Sequence, residues 1–227
     1  MDSLRLRPAT QVRHSAESSL RWITALFAVL LLATLSSGCT RQEQVELTVF
    51  DVDEITQKAM QQLDGDGDDK LTLSELAESP GLKSSQSEID LDKDRSISRE
   101  ELRTRLQAYV DEQIAILPYA IKVTYRGRPL TQAKITLIPE SFLDGVVQEA
   151  TGETDETGSA RPTIELSPDI LSRGTFGFRS GVYRVAVSKL DASGQETIPK
   201  KYNTETTLGF ELKMDEHMEQ LLRLNLR

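Results

Sequence analysis

The hydrophobic pattern divides the chain into stretches of different rhythm. Residues 22–35, "WITALFAVLLLATL", are a continuous run of fourteen largely apolar residues, and 40–48 are mostly polar. From Phe50 onward, Val52, Ile55, Ala59, Met60 and Leu63 recur at steps of three and four, which predicts a helix with one apolar face. Asp51 is placed to cap it, with Glu54 three residues on, and Phe50 and Ile55 can close a hydrophobic staple. A second helical period follows Ser98 through Leu102, Leu106, Tyr109, Val110, Ile114 and Leu117, with Pro118 as its stop. Beyond Pro118 the period becomes two. Ile121, Val123 and Tyr125 share one face, "GRPL" turns the chain, and Ala133, Ile135 and Leu137 alternate again. Further strands are predicted at 146–151, 159–165, 182–189, 206–213 and 221–226, with turns at "DETG", "RSG" and "ASG" between some of them. About seven short strands without intervening helices predict a β-sandwich, and argue against a parallel sheet. The expected class is α+β, a small helical pair (50–117) followed by an all-β seven-stranded sandwich (119–227), with a hinge near Pro118.

Charge changes the picture at the start of the chain. Arg5, Arg7, Arg13 and Arg21 precede the apolar run, which falls short of the roughly 20 residues a spanning helix needs. Residues 1–38 therefore read as an export signal and 39–49 as a tether. The run ends in "LSSGC", and Cys39 is the only cysteine, so no disulfide can form within the chain. The stretch resembles the lipobox of bacterial lipoproteins. Gly38 fits that pattern, whereas Ser36 stands where leucine is usual, with Leu35 one residue too early. The resemblance implies a lipidated Cys39, a membrane as partner through that lipid, and a place in the cell envelope facing the periplasm or the exterior. With a formal charge of −9, the chain is a poor partner for nucleic acid and a good one for cations.

The acids concentrate in two places. In "DGDGDDKLTLSE" (64–75), Asp64, Asp66 and Asp68 fall at positions 1, 3 and 5, Lys70 at 7, Leu71 at 8 and Glu75 at 12. In "DLDKDRSISREE" (90–101), Asp90, Asp92 and Asp94 take 1, 3 and 5, Ser96 takes 7, Ile97 takes 8, Ser98 takes 9 and Glu101 takes 12. Two like charges 4 Å apart repel by about 4 kcal/mol at an effective dielectric of 20, so such loops call for a counter-ion. Both loops resemble the calcium loop of EF-hands. The resemblance implies two Ca²⁺ sites whose ligands are the side chains at positions 1, 3, 5 and 12 and the backbone carbonyls of Lys70 and Ser96, leaving the Lys70 side chain free to vary. Mg²⁺, which prefers a smaller octahedral site, is the weaker candidate. Position 6 departs from the family pattern. Asp69 and Arg95 stand where glycine is usual, which predicts weakened binding, more so at the second loop. The loops start 26 residues apart, and "SPGL" at 79–82 is expected to cut short the helix leaving the first.

The second half, through "KVTYRGRPLTQAKITLIPE", "TDETGSA", "SGVYRVAVSK" and "IPKKYNTETT", resembles carboxypeptidase regulatory-like, transthyretin-like domains of predicted bacterial lipoproteins. That implies a fold and no catalytic residues. Of the two histidines, His14 belongs to the leader and His217 sits among acids as a solvated side chain, so no triad or zinc site can be assembled. The expectation is an exported, lipid-anchored, non-enzymatic calcium-binding protein. The runner-up is a surface adhesion or docking module that holds a protein or glycan partner through sandwich loops, such as the one carrying Phe176 and Phe178.

Overall fold

Asp51 caps helix α1 (Val52–Leu63) as its position before an apolar run predicts, its carboxylate accepting the N–H groups of Asp53 and Glu54 at 2.9 and 3.1 Å. The face that repeats at three and four residues, Val52, Ile55, Ala59 and Met60, is the buried one. The computed structural model describes residues 50–111, 116–166, 174, 176–214 and 221–227, all within one compact unit spanning Val45–Arg227. The leader, Cys39, the tether and His217 lie outside the described residues.

The fold is α+β. After α1 come a two-residue strand β1 (Lys70–Leu71), a single 3₁₀ turn at Glu75–Glu78, α2 (Pro80–Ile89), β2 (Ile97–Ser98) and α3 (Arg99–Asp111). Pro80 begins α2 as its first residue, where a missing N–H costs nothing. The helix leaving the first loop is thus reduced to one 3₁₀ turn, as "SPGL" suggests. Helix α3 reaches Asp111, while Leu117 is extended and exchanges both backbone hydrogen bonds with Phe178, at 2.8 and 3.1 Å. The helical spacing of Leu117 with Leu106 and Tyr109 is therefore a coincidence, since Pro118 restricts the residue before it to extended backbone.

Among the described residues eight strands follow in two sheets of four, where about seven were expected: β3 (Ala120–Tyr125), β4 (Arg128–Pro129), β5 (Lys134–Pro139), β6 (Ala150–Glu153), β7 (Ser159–Ala160), β8 (Gly181–Ser188), β9 (Gly209–Leu212) and β10 (Leu221–Leu226). One sheet runs β6-β5-β8-β9 and is antiparallel throughout. In the other, β3 is flanked by β4 and β7 on antiparallel registers and by β10 on a parallel one, Leu221 facing Ala120 through Leu226 facing Tyr125. Neither sheet is parallel throughout, and β3 and β10 lie parallel because strands far apart in sequence can do so without a dedicated crossover helix between them. Three predicted strands are also shorter than expected, the one at 206–213 being reduced to Gly209–Leu212. A 3₁₀ turn at Ser141–Leu143 and Gly145, at φ +83°, occupy the approach to β6, so pairing begins at Ala150. Pro162, which has no N–H to give, follows β7, leaving Thr163 with an isolated bridge to Thr151.

Alternation along the strands gives the β6-β5-β8-β9 sheet one face buried in the core. Ile135, Leu137, Tyr183, Val185 and Val187 point into the core, where Phe178 meets Tyr183 edge-on at 5.4 Å between ring centres. Strand β8 is buried at six of its eight positions because α2 covers its other face. Contact there is close. A Cβ on Gly209 would stand 1.7 Å from the Pro80 carbonyl oxygen, and one on Gly81 would meet the Tyr183 nitrogen at 2.8 Å.

Candidate metal centre

The two acidic loops are built on one plan, repeated 26 residues apart. In each, the position-1 carboxylate takes two loop amides. Asp64 accepts from Gly67 (2.7 Å) and Asp69 (3.0 Å), and Asp90 from Asp94 (3.1 Å) and Arg95 (2.8 Å). The position-5 carboxylate takes the position-7 amide, Lys70 onto Asp68 at 2.9 Å and Ser96 onto Asp94 at 2.8 Å. The position-12 glutamate reaches back across the loop. Glu75 accepts from the Gly65 and Thr72 amides, both at 2.8 Å, and Glu101 from those of Leu91 and Ser98 at 2.7 and 2.8 Å. The hydroxyls of Thr72 and Ser98 each add a bond of 2.7 Å. Thr72 is the residue the sequence reading left out, although it stands at position 9 as Ser98 does.

Strands β1 and β2 join the loops back to back, with Leu71 facing Ile97, both fully buried. Beyond them the loops exchange polar contacts. The Arg99 guanidinium bonds Asp69 at 2.6 Å, and the Arg99 amide bonds the Asp69 carbonyl at 3.0 Å. The Lys70 ammonium, read from sequence as free to vary, instead pairs with Asp94 of the other loop. Asp69 and Arg95 adopt φ of +62° and +74°, the left-handed turn usually assigned to glycine. Each holds a compensating contact: Asp69 that to Arg99, and Arg95 a 2.6 Å bond from Gln86 to its carbonyl.

The electrostatics follow from this crowding. The charge of Asp68, with burial, raises the pKa of Asp66. Glu75 is held below the usual carboxylate range by the amide and hydroxyl of Thr72 and the amide of Gly65. Burial pushes Glu101 upward, but the hydroxyl and amide of Ser98 and the amides of Leu91 and Asp92 outweigh it and lower the pKa. Asp94 is lowered by the Lys70 ammonium and then the Ser96 amide.

Within each loop, Asp64, Asp66 and Asp68, and likewise Asp90, Asp92 and Asp94, offer one carboxylate oxygen apiece lying within 4.8 Å of the others. Three carboxylate oxygens gathered this closely form a hard donor set compact enough to hold a metal ion. Glu75 and Glu101 stand outside these triplets, engaged with loop amides.

Phe176 and Phe178, paired by the sequence as one candidate contact loop, are separated. Phe178 is fully buried among Tyr119, Tyr183 and Phe210, and Phe176 is 41 % exposed. Among the described residues, no helix is long and apolar enough to cross a membrane. No protein-family model matches the chain, and neither the curated proteins nor the solved structures give a significant match.

Proposed function

We propose that this is an exported, lipid-anchored calcium-binding protein, in which an EF-hand pair formed by residues 50–111 takes up two Ca²⁺ ions and is borne on a non-catalytic, transthyretin-like β-sandwich. The observation that carries the calcium reading is the duplication. Ligand spacing, amide-to-carboxylate bonds and positive φ at position 6 recur at the same offset, and the position-8 residues pair across β1 and β2. Accidental acidic surface loops have no reason to share a hydrogen-bond plan. The sandwich reading is supported by two four-stranded sheets whose inward residues fall in one apolar cluster.

In this reading Asp64, Asp66, Asp68 and Glu75 hold one ion with the Lys70 carbonyl, and Asp90, Asp92, Asp94 and Glu101 hold the other with that of Ser96. The ion supplies positive charge that relieves the repulsion within each triplet. Isothermal titration of the full chain in mild detergent with CaCl₂ tests it: binding heat and a rise in melting temperature by millimolar Ca²⁺ are expected, in the range of exported modules at about 10⁻⁴–10⁻³ M. Absence of both removes the calcium reading. The anchor rests on Cys39, and Cys39→Ser is expected to release the chain from the membrane fraction. The docking alternative retains one supporting feature, the exposed ring of Phe176.

A further inference from the structure

The second loop is framed by α2, which ends at Ile89 just before Asp90, and by α3, which carries Glu101. Both helices are tied to β9 and the residue after it by one crossed network of charges. Glu88, two residues before Asp90, bonds the Lys213 ammonium at 2.5 Å and lies 4.0 Å from Arg105. Arg105, one turn beyond Glu101, stands 3.3 Å from Glu211, whose side chain is only 5 % exposed. Tyr109, a further turn along α3, donates its hydroxyl to the same Glu211 carboxylate. Glu88, Leu91, Glu101 and Arg105 line a single crevice, which places the network directly beneath the loop. At its other end α2 is held by a carboxylate that directly follows β5. Glu140, 2 % exposed, accepts the Gly81 N–H at 2.7 Å.

We propose that the outer face of the β6-β5-β8-β9 sheet is a clamp that sets the geometry of the second calcium loop, with Glu211 and Lys213 as positioning residues that fix the spacing of α2 and α3, so that this hand binds Ca²⁺ without opening its helices. The inference rests on the calcium reading above. Groups behind a metal's ligands hold those ligands in place, and removing them typically weakens binding 10- to 100-fold. Calcium sensors open their helix pair to uncover an apolar groove, whereas buffer hands barely open. A helix pair latched at both members to a sheet belongs with the second kind. Glu88 and Arg105 already face opposite charges from the sheet, so opening would break ion pairs and expose Glu211.

Calcium titration of the full chain in mild detergent, with the loops separated, tests the clamp. In a Glu75→Gln background, where the second loop is read alone, Glu211→Gln is expected to weaken binding roughly tenfold. In a Glu101→Gln background, where the first loop is read, the same change leaves affinity within about twofold. Lys213→Met, milder for folding, gives the same asymmetry at smaller size. Calcium is also expected to leave the fluorescence of an apolar-surface dye unchanged. Equal weakening of both loops, an unchanged second loop, or a calcium-driven rise in dye fluorescence overturns the clamp. If the parent chain gives no calcium heat, the calcium reading falls and the clamp with it. If the parent binds and Glu211→Gln alters nothing, only the clamp is lost.

Discussion

Asp90 opens its loop at 8 % exposure, buried at the end of a ten-residue helix, while Asp64 opens its own only half-buried. The loops share their internal hydrogen bonds and differ in what stands behind them. The first is followed by a single 3₁₀ turn at Glu75–Glu78, and the second lies between two helices latched to β9. Position 6 puts the greater backbone cost on the second loop, since arginine is a poor substitute for glycine at positive φ. The contrast teaches that local backbone cost and remote support are separate variables, and that a loop can be disfavoured by one and favoured by the other.

The comparison breaks most sharply at Gly209. Gly209→Ala drives a methyl group into the Pro80 carbonyl and pushes α2 off the sheet, with an expected loss of roughly 3 kcal/mol in urea denaturation. Calcium binding at the second loop should suffer more than at the first. An unchanged midpoint would mean that α2 does not rest on β9.

Glu140 sharpens it through pH. Burial raises its pKa, against the Gly81 amide and the Arg184 charge, with the Arg184 Nε 3.7 Å away. The folded carboxyl thus keeps its proton to a higher pH than the unfolded one. Its contribution to stability is most favourable below the ordinary glutamate pKa of about 4.3 and declines as pH rises through the raised value. Glu140→Gln removes that decline, so melting temperatures of variant and parent should diverge in favour of glutamine as pH climbs from 4 to 7. A gap that stays flat would place Glu140 in water.

The smallest expected effect is at Lys70. Its ammonium competes with any cation for Asp94, so Lys70→Met should tighten the second loop roughly two- to threefold at low ionic strength, and by almost nothing in 0.5 M NaCl. Isothermal titration at the two salt levels reads this, and tightening that survives salt would point to a cause other than charge.

Much of this architecture is legible in residue order. Helix α1 carries its own start signal at Asp51 and its own buried face. The acidic loops declare themselves by spacing, and β3 and β5 by alternation. What stays hidden depends on contacts between distant segments. Nothing local to Leu221–Leu226 records that it will lie parallel to Ala120–Tyr125. Glu211 occupies an outward position on its strand and reads as solvated until α3 is laid over it. Leu117 fits a helical period that Pro118 forbids. Lys70 reads as a filler at position 7 because its partner belongs to the other loop.

The pairing of β3 with β10 has a kinetic consequence. The strand that borders β3 along its whole length is supplied by a segment about a hundred residues downstream. Closing so large a loop is slow compared with zipping a hairpin, so the β3–β10 pairing is expected to form late on the folding path. Until then one margin of β3 offers unsatisfied amides and carbonyls to any neighbour, including β3 of another copy. Rapid, crowded synthesis would therefore favour entangled aggregates over soluble product, and slower production or a holding chaperone would reverse that balance.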